Sequence, residues 1–361
     1  MAYINDGNLY FQNGSNPPQQ LTRHGEDWSI LFFSENGEKI FFQRGITPPF
    51  ELHSINADGS EEQTLITNEL LRTMDTSYTD LTGFHHVTIV PSTHLLLFST
   101  YEPQDNNSVF WNGDLLVVNT DTAKIRKLPF YASDFFLSPD GKYIARDRIG
   151  AIDVLDLEGN IIHKNMVTYP PSEPSFLPPG ISWMPDSKGL VVILPVPTFY
   201  DISASGPSYT VWHYTLDSGT GVEVPLDVLP TEVYMATVSP DGNWIIYNNN
   251  DQYAFYIGDL RTSNTQLYEP KTFAFHDGRS WSSDSKHFIY RGTRKNLFLG
   301  SVNSPPELIG KGEFLDWIDA NRYLYYADKH IVLGNINGAK EIILVDHESF
   351  NNPVIFTFIL P

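Results

Sequence analysis

A chain that keeps returning to one turn between two apolar strands is built of like units, and this chain returns seven times. The clearest copies are Ser138-Pro139-Asp140-Gly141 and Ser239-Pro240-Asp241-Gly242. Each follows an apolar strand and leads into another, Tyr143-Ile144-Ala145 and Trp244-Ile245-Ile246-Tyr247. Further copies are Ser34-Glu35-Asn36-Gly37, Val90-Pro91-Ser92-Thr93, Met184-Pro185-Asp186-Ser187, Ser282-Ser283-Asp284-Ser285 and Ile318-Asp319-Ala320-Asn321. Their first positions (34, 90, 138, 184, 239, 282 and 318) lie 36 to 56 residues apart. A period of this size, filled with short strands, is the signature of propeller blades.

The strand after each turn is apolar almost without interruption, as in Lys39-Ile40-Phe41-Phe42 and Leu95-Leu96-Leu97-Phe98. Such strands are buried on both faces, as the inner strands of a blade are between two neighbouring blades. A third strand and a polar hairpin follow, for example Glu51-Leu52-His53-Ser54-Ile55 before Asn56-Ala57-Asp58-Gly59, with glycine supplying the positive φ of a tight turn. A fourth, weaker strand ends each unit. The stretch Asn68 to Met74 (NELLRTM) predicts one short helix.

Seven turns define seven units, and the two ends supply an eighth. Ala2-Tyr3-Ile4, an Asp6-Gly7 turn, Asn8-Leu9-Tyr10-Phe11 and Gln19-Gln20-Leu21-Thr22 read as second, third and fourth strands that lack a first. The segment from Pro353 to Leu360 is a lone strand with no turn after it. Pairing the two closes the ring and removes its exposed edges. The expected fold is an all-β propeller of four-stranded antiparallel blades, forming a single domain over residues 1–361. Eight blades are expected, and seven is the alternative count.

Of the 361 residues, 41% are hydrophobic and 18% charged, enough apolar surface for a large core. The formal net charge is -20. A surface of that sign repels phosphate backbones and anionic membranes and draws cations and basic peptides, although solubility alone is the more common reason for it. Nucleic acid is therefore not an expected partner, nor is membrane insertion, since no apolar run approaches the roughly 18 residues of a spanning helix. The chain has no cysteine, which rules out disulfides, thiolate metal sites and a cysteine nucleophile. The start, Met1-Ala2-Tyr3-Ile4-Asn5-Asp6, has neither a basic segment nor an apolar signal core, so no signal peptide is expected.

Apolar strand, Ser-Pro-Asp-Gly-Lys, apolar strand resembles the repeat of TolB-like β-propellers, most strongly at Ser138 to Ala145 and Ser239 to Tyr247. The same repeat occurs in periplasmic TolB, in the propellers of prolyl-oligopeptidase-type enzymes and in oligogalacturonate lyases. The resemblance implies a propeller in a periplasmic or extracellular setting. It marks a turn rather than an active site, so it implies no single activity. The chain has no Gly-x-Ser-x-Gly nucleophile elbow, and no Ser, His and Asp arrangement suggests a triad.

In propellers of this kind ligands bind at the central channel, on the face carrying the second-to-third-strand loops and the blade-to-blade connections. The long insertions here fall in those classes: 101–113, 196–209, 68–83 and 165–179. They carry Tyr101, Phe110, Trp111, Phe199, Tyr200 and Tyr209, rings suited to stacking on a sugar or clasping a peptide. The competing reading packs these aromatics under their own loops. His24, His85, His86 and His276 all precede a blade's first strand, with Glu26, Asp27 and Asp277 close by, and imidazole with carboxylate suits a divalent metal. The oligogalacturonate lyases that the repeat resembles hold such a metal largely with histidines. The four stand in different registers relative to the turn, which favours local hydrogen bonding over a shared ligand set. Arg146-Asp147-Arg148 is either an ion-pair cluster or, more commonly for such a run, a solvated strand end. Asp58, Glu61 and Glu62 form an acidic hairpin without an EF-hand pattern.

The expectation that follows is a non-catalytic, monomeric binding or scaffolding propeller without a cofactor. Its protein or glycan ligand would dock on the long-loop face over the channel. One alternative is a metal-dependent polysaccharide lyase or hydrolase using the histidines. The other is a structural domain of a larger cell-envelope protein.

Overall fold

A computed structural model describes residues 1–13, 16–45, 47, 49–75, 78–79, 82–103, 109–110, 113–132, 134–148, 150–169, 179–195, 209–231, 236–249, 252–270, 280–328, 330–346 and 356–357. The chain is an all-β propeller of eight antiparallel blades, as its turn spacing predicts. Blade 1 joins Ala2–Asn5, Asn8–Phe11 and Gln19–Gln20 to Phe356–Thr357 from the other end of the chain. Ala2 lies opposite Thr357 and Tyr3 opposite Phe356, the expected closure. Blade 2 follows as Asp27–Phe33, Lys39–Arg44, Glu51–Asn56 and Gln63–Ile66. In blade 7 the first strand is reduced, among the described residues, to the bridge between Trp281 and Phe288. The predicted helix forms at Asn68–Met74, where the Thr67 side chain caps it by accepting from the Leu70 amide at 3.0 Å. Among the described residues no helix is long and apolar enough to cross a membrane.

The chain divides into two compact units, one of Met1–Leu137, Leu155–Ile161 and Glu348–Pro361, the other of Ser138–Val154 and Ile162–His347. In both, the core is a series of seams between successive blades. Side chains alternate across a strand, so one inner strand serves two seams. In the first unit Ile40 and Phe42 pack with Ala2, Ile4 and Leu9 of blade 1. The intervening Phe41 packs with Leu96, Phe98 and Leu116 of blade 3. In the second unit Ile245 and Tyr247 join Val191, Ile193 and Val211, while Ile246 joins Phe255, Trp281 and Phe288. Two indoles add directed bonds between successive blades there: Trp281 Nε1 donates to the Thr237 carbonyl at 3.1 Å and Trp317 Nε1 to the Ser280 carbonyl at 2.8 Å.

The recurring turn is held by its own side chains. Ser239 Oγ donates to Asp241 Oδ1 at 2.6 Å and accepts the Trp244 amide at 3.0 Å, which clips the second strand to the first. Asp241 Oδ1 accepts the Asn243 amide at 3.0 Å, and the Gly242 amide closes the turn on the Ser239 carbonyl at 2.8 Å. The Ser138 and Ser282 turns repeat this arrangement. Burial works against charge on Asp241, but hydrogen bonds led by Ser239 and Asn243 hold its carboxyl below the usual carboxylate range. Ser187 and Ser285 stand where other copies have glycine, at φ 59° and 61°. Each accepts an amide from the preceding turn: Asp140 N–H at 3.0 Å from Ser187 Oγ, and Asp241 N–H at 2.9 Å from Ser285 Oγ. These departures from Ser-Pro-Asp-Gly therefore link one blade's turn to the next.

Ser239→Ala removes both bonds of a hydroxyl that is 3% exposed and leaves the Trp244 amide without that acceptor. We expect a loss of about 1–3 kcal/mol, read as a lower denaturant midpoint at unchanged m-value.

Candidate functional site

The long connections of the first unit build its most elaborated end. After Asn68–Met74 the chain enters blade 3, formed by Gly83–Val90, Leu95–Pro103, Gly113–Asn119 and Ile125–Ala132. The second strand runs on past the blade and pairs with an added strand, Val109–Phe110, placing Val109 opposite Pro103 and Phe110 opposite Glu102. Among the described residues this is the one blade with a fifth strand.

A charged clamp underlies this ribbon. Lys127 Nζ, on the fourth strand, lies 2.6 Å from Asp114 Oδ2 and 2.9 Å from Asp75 Oδ2. Asp75 is the C-cap of the helix, so the lysine ties the incoming connection to the blade. Tyr78 donates its hydroxyl to Asp114, and its ring lies beneath the ammonium at 5.6 Å. Burial disfavours the charge on Lys127, but Asp114 and Asp75 outweigh it and raise its pKa. The Asp114 amide also donates to Thr100 Oγ1 at 3.1 Å, so the clamp is tied to the second strand just before the ribbon begins.

A second network lies at the seam of blades 1 and 2, at the same end. Asp27 is fully buried and opens the first strand of blade 2. It accepts from Thr22 Oγ1 and from Arg44 Nε, the latter at 2.8 Å. Arg44 Nη2 reaches Glu62 Oε1 at 2.7 Å, so one guanidinium bridges two carboxylates. Burial opposes that charge, and Asp27 and Glu62 together raise the Arg44 pKa. His53 stacks on Phe42 and holds Glu51 Oε2 at 2.9 Å through Nε2. Burial lowers its pKa against the opposing pull of Glu51.

The expected site residues are distributed as follows. His24 is exposed at this seam, with Nε2 3.7 Å from Glu62 Oε2. His86 is engaged elsewhere, at 2.7 Å from Asp134 Oδ1 and stacked on Phe135 at 4.3 Å. His85 lies in the first strand of blade 3, its side chain outside the described residues, as is His276 altogether. His24 and His86 thus face different carboxylates, Glu62 being shared with Arg44. No group of three or more His, Asp or Glu side chains suited to a metal occurs among the described residues. The described donors do not fit a shared metal site. Tyr209 is 1% exposed and packs among Val191, Ile193 and Val211, so its ring belongs to the core. Tyr101 and Phe110 lie on the two strands of the ribbon, with side chains outside the described residues. Trp111, Phe199 and Tyr200 also lie outside them.

Sequence reasoning missed the Asp27–Arg44–Glu62 bridge. Its members come from three strands or their flanks, and Glu62 reads as part of a hairpin. In the second unit, Arg146-Asp147-Arg148 is not a solvated strand end. Asp153, 1% exposed, accepts from Arg146 at 2.5 Å, from Arg148 at 2.9 Å and from the Asn165 amide at 2.7 Å. Tyr169 donates to Asp147. The two arginines of the run meet one buried carboxylate on the next strand, a partner that the local pattern does not name.

No protein-family model matches the chain, and no curated protein matches it in sequence. Among solved structures, an oligogalacturonate lyase in complex with manganese is similar over 83% of this chain and 81% of its own, with TM-score 0.52 and 13% identity. Dipeptidyl peptidase 4 of Porphyromonas gingivalis is similar over 86% of this chain, with TM-score 0.55 and 13% identity. The match covers 52% of the peptidase, so this chain spans about half its length. TolB from Acinetobacter baumannii matches over 82% of this chain and 77% of its own, at 14% identity and TM-score 0.41. At these identities the likeness is one of fold, and the family expected from the turn stands at the level of the β-propeller.

Arg44→Met should destabilise the protein by about 3–5 kcal/mol by leaving Asp27 buried without its counter-ion, measured by chemical denaturation. Because burial lowers the His53 pKa, the unfolded chain takes up that proton first. Its contribution is complete above about pH 6.5 and is lost as pH falls below that value. His53→Phe should flatten this part of the stability–pH profile.

Proposed function

We propose that this chain is a binding or scaffolding propeller whose ligand, a protein segment or a glycan, docks at the long-loop end. The observation that carries the reading is the fifth strand of blade 3 on its clamped base. A ribbon that extends past the blade, from a second strand tied at Thr100 to the Lys127–Asp114–Asp75 clamp, would offer a preorganised platform, and preorganisation lowers the entropy cost of binding. Tyr101 and Phe110, whose backbones form the ribbon, would supply anchor area; Trp111, Phe199 and Tyr200, outside the described residues, are the sequence's further aromatic candidates.

The rival reading is a metal-dependent enzyme acting on a polysaccharide, with His24, His85, His86 and His276 as ligands. What supports it is the co-occurrence of histidine and carboxylate at or just ahead of the first strands. His24 and His86 each face a separate carboxylate, which does not give them a shared ligand set.

One experiment with two readouts tests the reading. Oligosaccharides and displayed peptides selected on the native protein are titrated against Trp111→Ala and Tyr200→Ala. Affinity should fall about tenfold or more for at least one variant while the melting temperature stays within a few degrees. Unfolding of both variants, or unchanged affinity in both, contradicts the proposal. Elemental analysis of protein purified without chelator accompanies the titration, and a stoichiometric transition metal would favour the rival.

A further inference from the structure

A cleft of about 300 Å³ opens between blades 2 and 3 at the opposite end of the first unit, where the first-to-second-strand turns lie. Phe41, Ile89, Leu95 and Leu96 give it an apolar floor. One wall is the turn from Ser34 to Lys39, and the other carries His94 and Asp121. The two blades are tied there by the Ser92 amide, which donates to Glu35 Oε2 at 2.8 Å.

The charges of the lining are unequally matched. Asp121 has two basic neighbours, with Lys39 Nζ at 3.4 Å and His94 Nδ1 at 3.1 Å. Glu35 and Glu38 are both exposed, and their hydrogen-bond partners are neutral: the Ser92 amide for Glu35, and Asn36 Nδ2 at 2.6 Å for Glu38. Two carboxylates without a cation among the described residues therefore border an apolar floor, on a chain of net charge -20.

We propose that this cleft binds the side chain of an arginine presented by a basic segment of a partner protein. The methylene stem would lie on the Phe41, Ile89 and Leu95 floor, and the guanidinium would face Glu35 and Glu38. An apolar stem that ends in a delocalised cation suits both parts of the lining, as long basic side chains bury their stems while keeping their heads polar. Guanidinium offers five donors in a planar fork and is weakly hydrated, so it suits two carboxylates better than an ammonium does. The negative field of the chain draws a basic segment to this surface. The site is independent of the long-loop platform and would let one propeller hold two partners.

The test is fluorescence anisotropy with a labelled pentapeptide bearing one central arginine, its citrulline counterpart and its lysine counterpart. The arginine peptide should bind and weaken with added salt. Citrulline should bind about tenfold more weakly, the scale of losing one charge-assisted contact, with lysine in between. The double variant Glu35→Gln, Glu38→Gln keeps the acceptor oxygens of the turn bonds and should lose about the same factor without a change in melting temperature. Lys39→Met removes the competing cation and should tighten binding, a direction that a damaged fold would not produce. The proposal is overturned if the arginine peptide fails to bind at millimolar concentration. It is also overturned if citrulline binds equally well, if the double variant keeps wild-type affinity, or if Lys39→Met fails to strengthen binding.

Discussion

Burial of one strand on both of its faces is the constraint on which the rest of the structure depends. A strand reading Lys39-Ile40-Phe41-Phe42 has no face that tolerates water, so it is stable only between two other sheets. Each blade can supply one cover for its neighbour and needs one in return. The result is a chain of seams, with Phe41 in one and Ile40 and Phe42 in another, instead of one central core. The same requirement explains why the two ends of the chain share blade 1: Ala2 and Tyr3 need the backbone of Phe356 and Thr357 to complete their sheet.

The turns express the same logic in polar terms. A clip of serine, aspartate and backbone amides sets the register of the first two strands of a blade locally, within about five residues. Ser187 and Ser285 then carry the link across to the preceding turn. Short-range bonds define each blade, and side chains at the turn position align one blade with the next. This end of the blades is repetitive because a departure in one turn is felt by two blades. The other end carries longer, blade-specific connections, and there the ribbon of blade 3 and the Lys127 clamp arise.

Much of the fold was legible in the sequence because it depends on period and pattern. The turn spacing, the apolar second strands, the Asn68–Met74 helix and the pairing of the chain ends are all local or periodic features. An ion-pair cluster at Arg146-Asp147-Arg148 was one open reading, but the partners in the polar networks were not legible, because register brings them together. Asp27, Arg44 and Glu62 lie on different elements of blade 2, and Arg146 and Arg148 meet Asp153 only after the chain reverses. Tyr209 shows the opposite limit. It stands at the end of an aromatic-bearing loop, yet it is itself the first residue of the strand Tyr209–Thr215, and its ring enters a seam. No pattern separates an aromatic that anchors a ligand from one that fills a core when both sit at the mouth of the same loop.

Seams enclose the second strands on both faces and leave the outer strands at the surface. Amide hydrogen exchange followed by mass spectrometry tests that division most directly. It predicts the slowest exchange in the second strands, Lys39–Arg44 and Trp244–Asn249, which are enclosed by seams on both faces. The outer strands Thr220–Val224 and Thr265–Pro270, where Val222 is 70% and Leu267 49% exposed, should exchange distinctly faster. Protection of the outer strands equal to or greater than that of the second strands would contradict it.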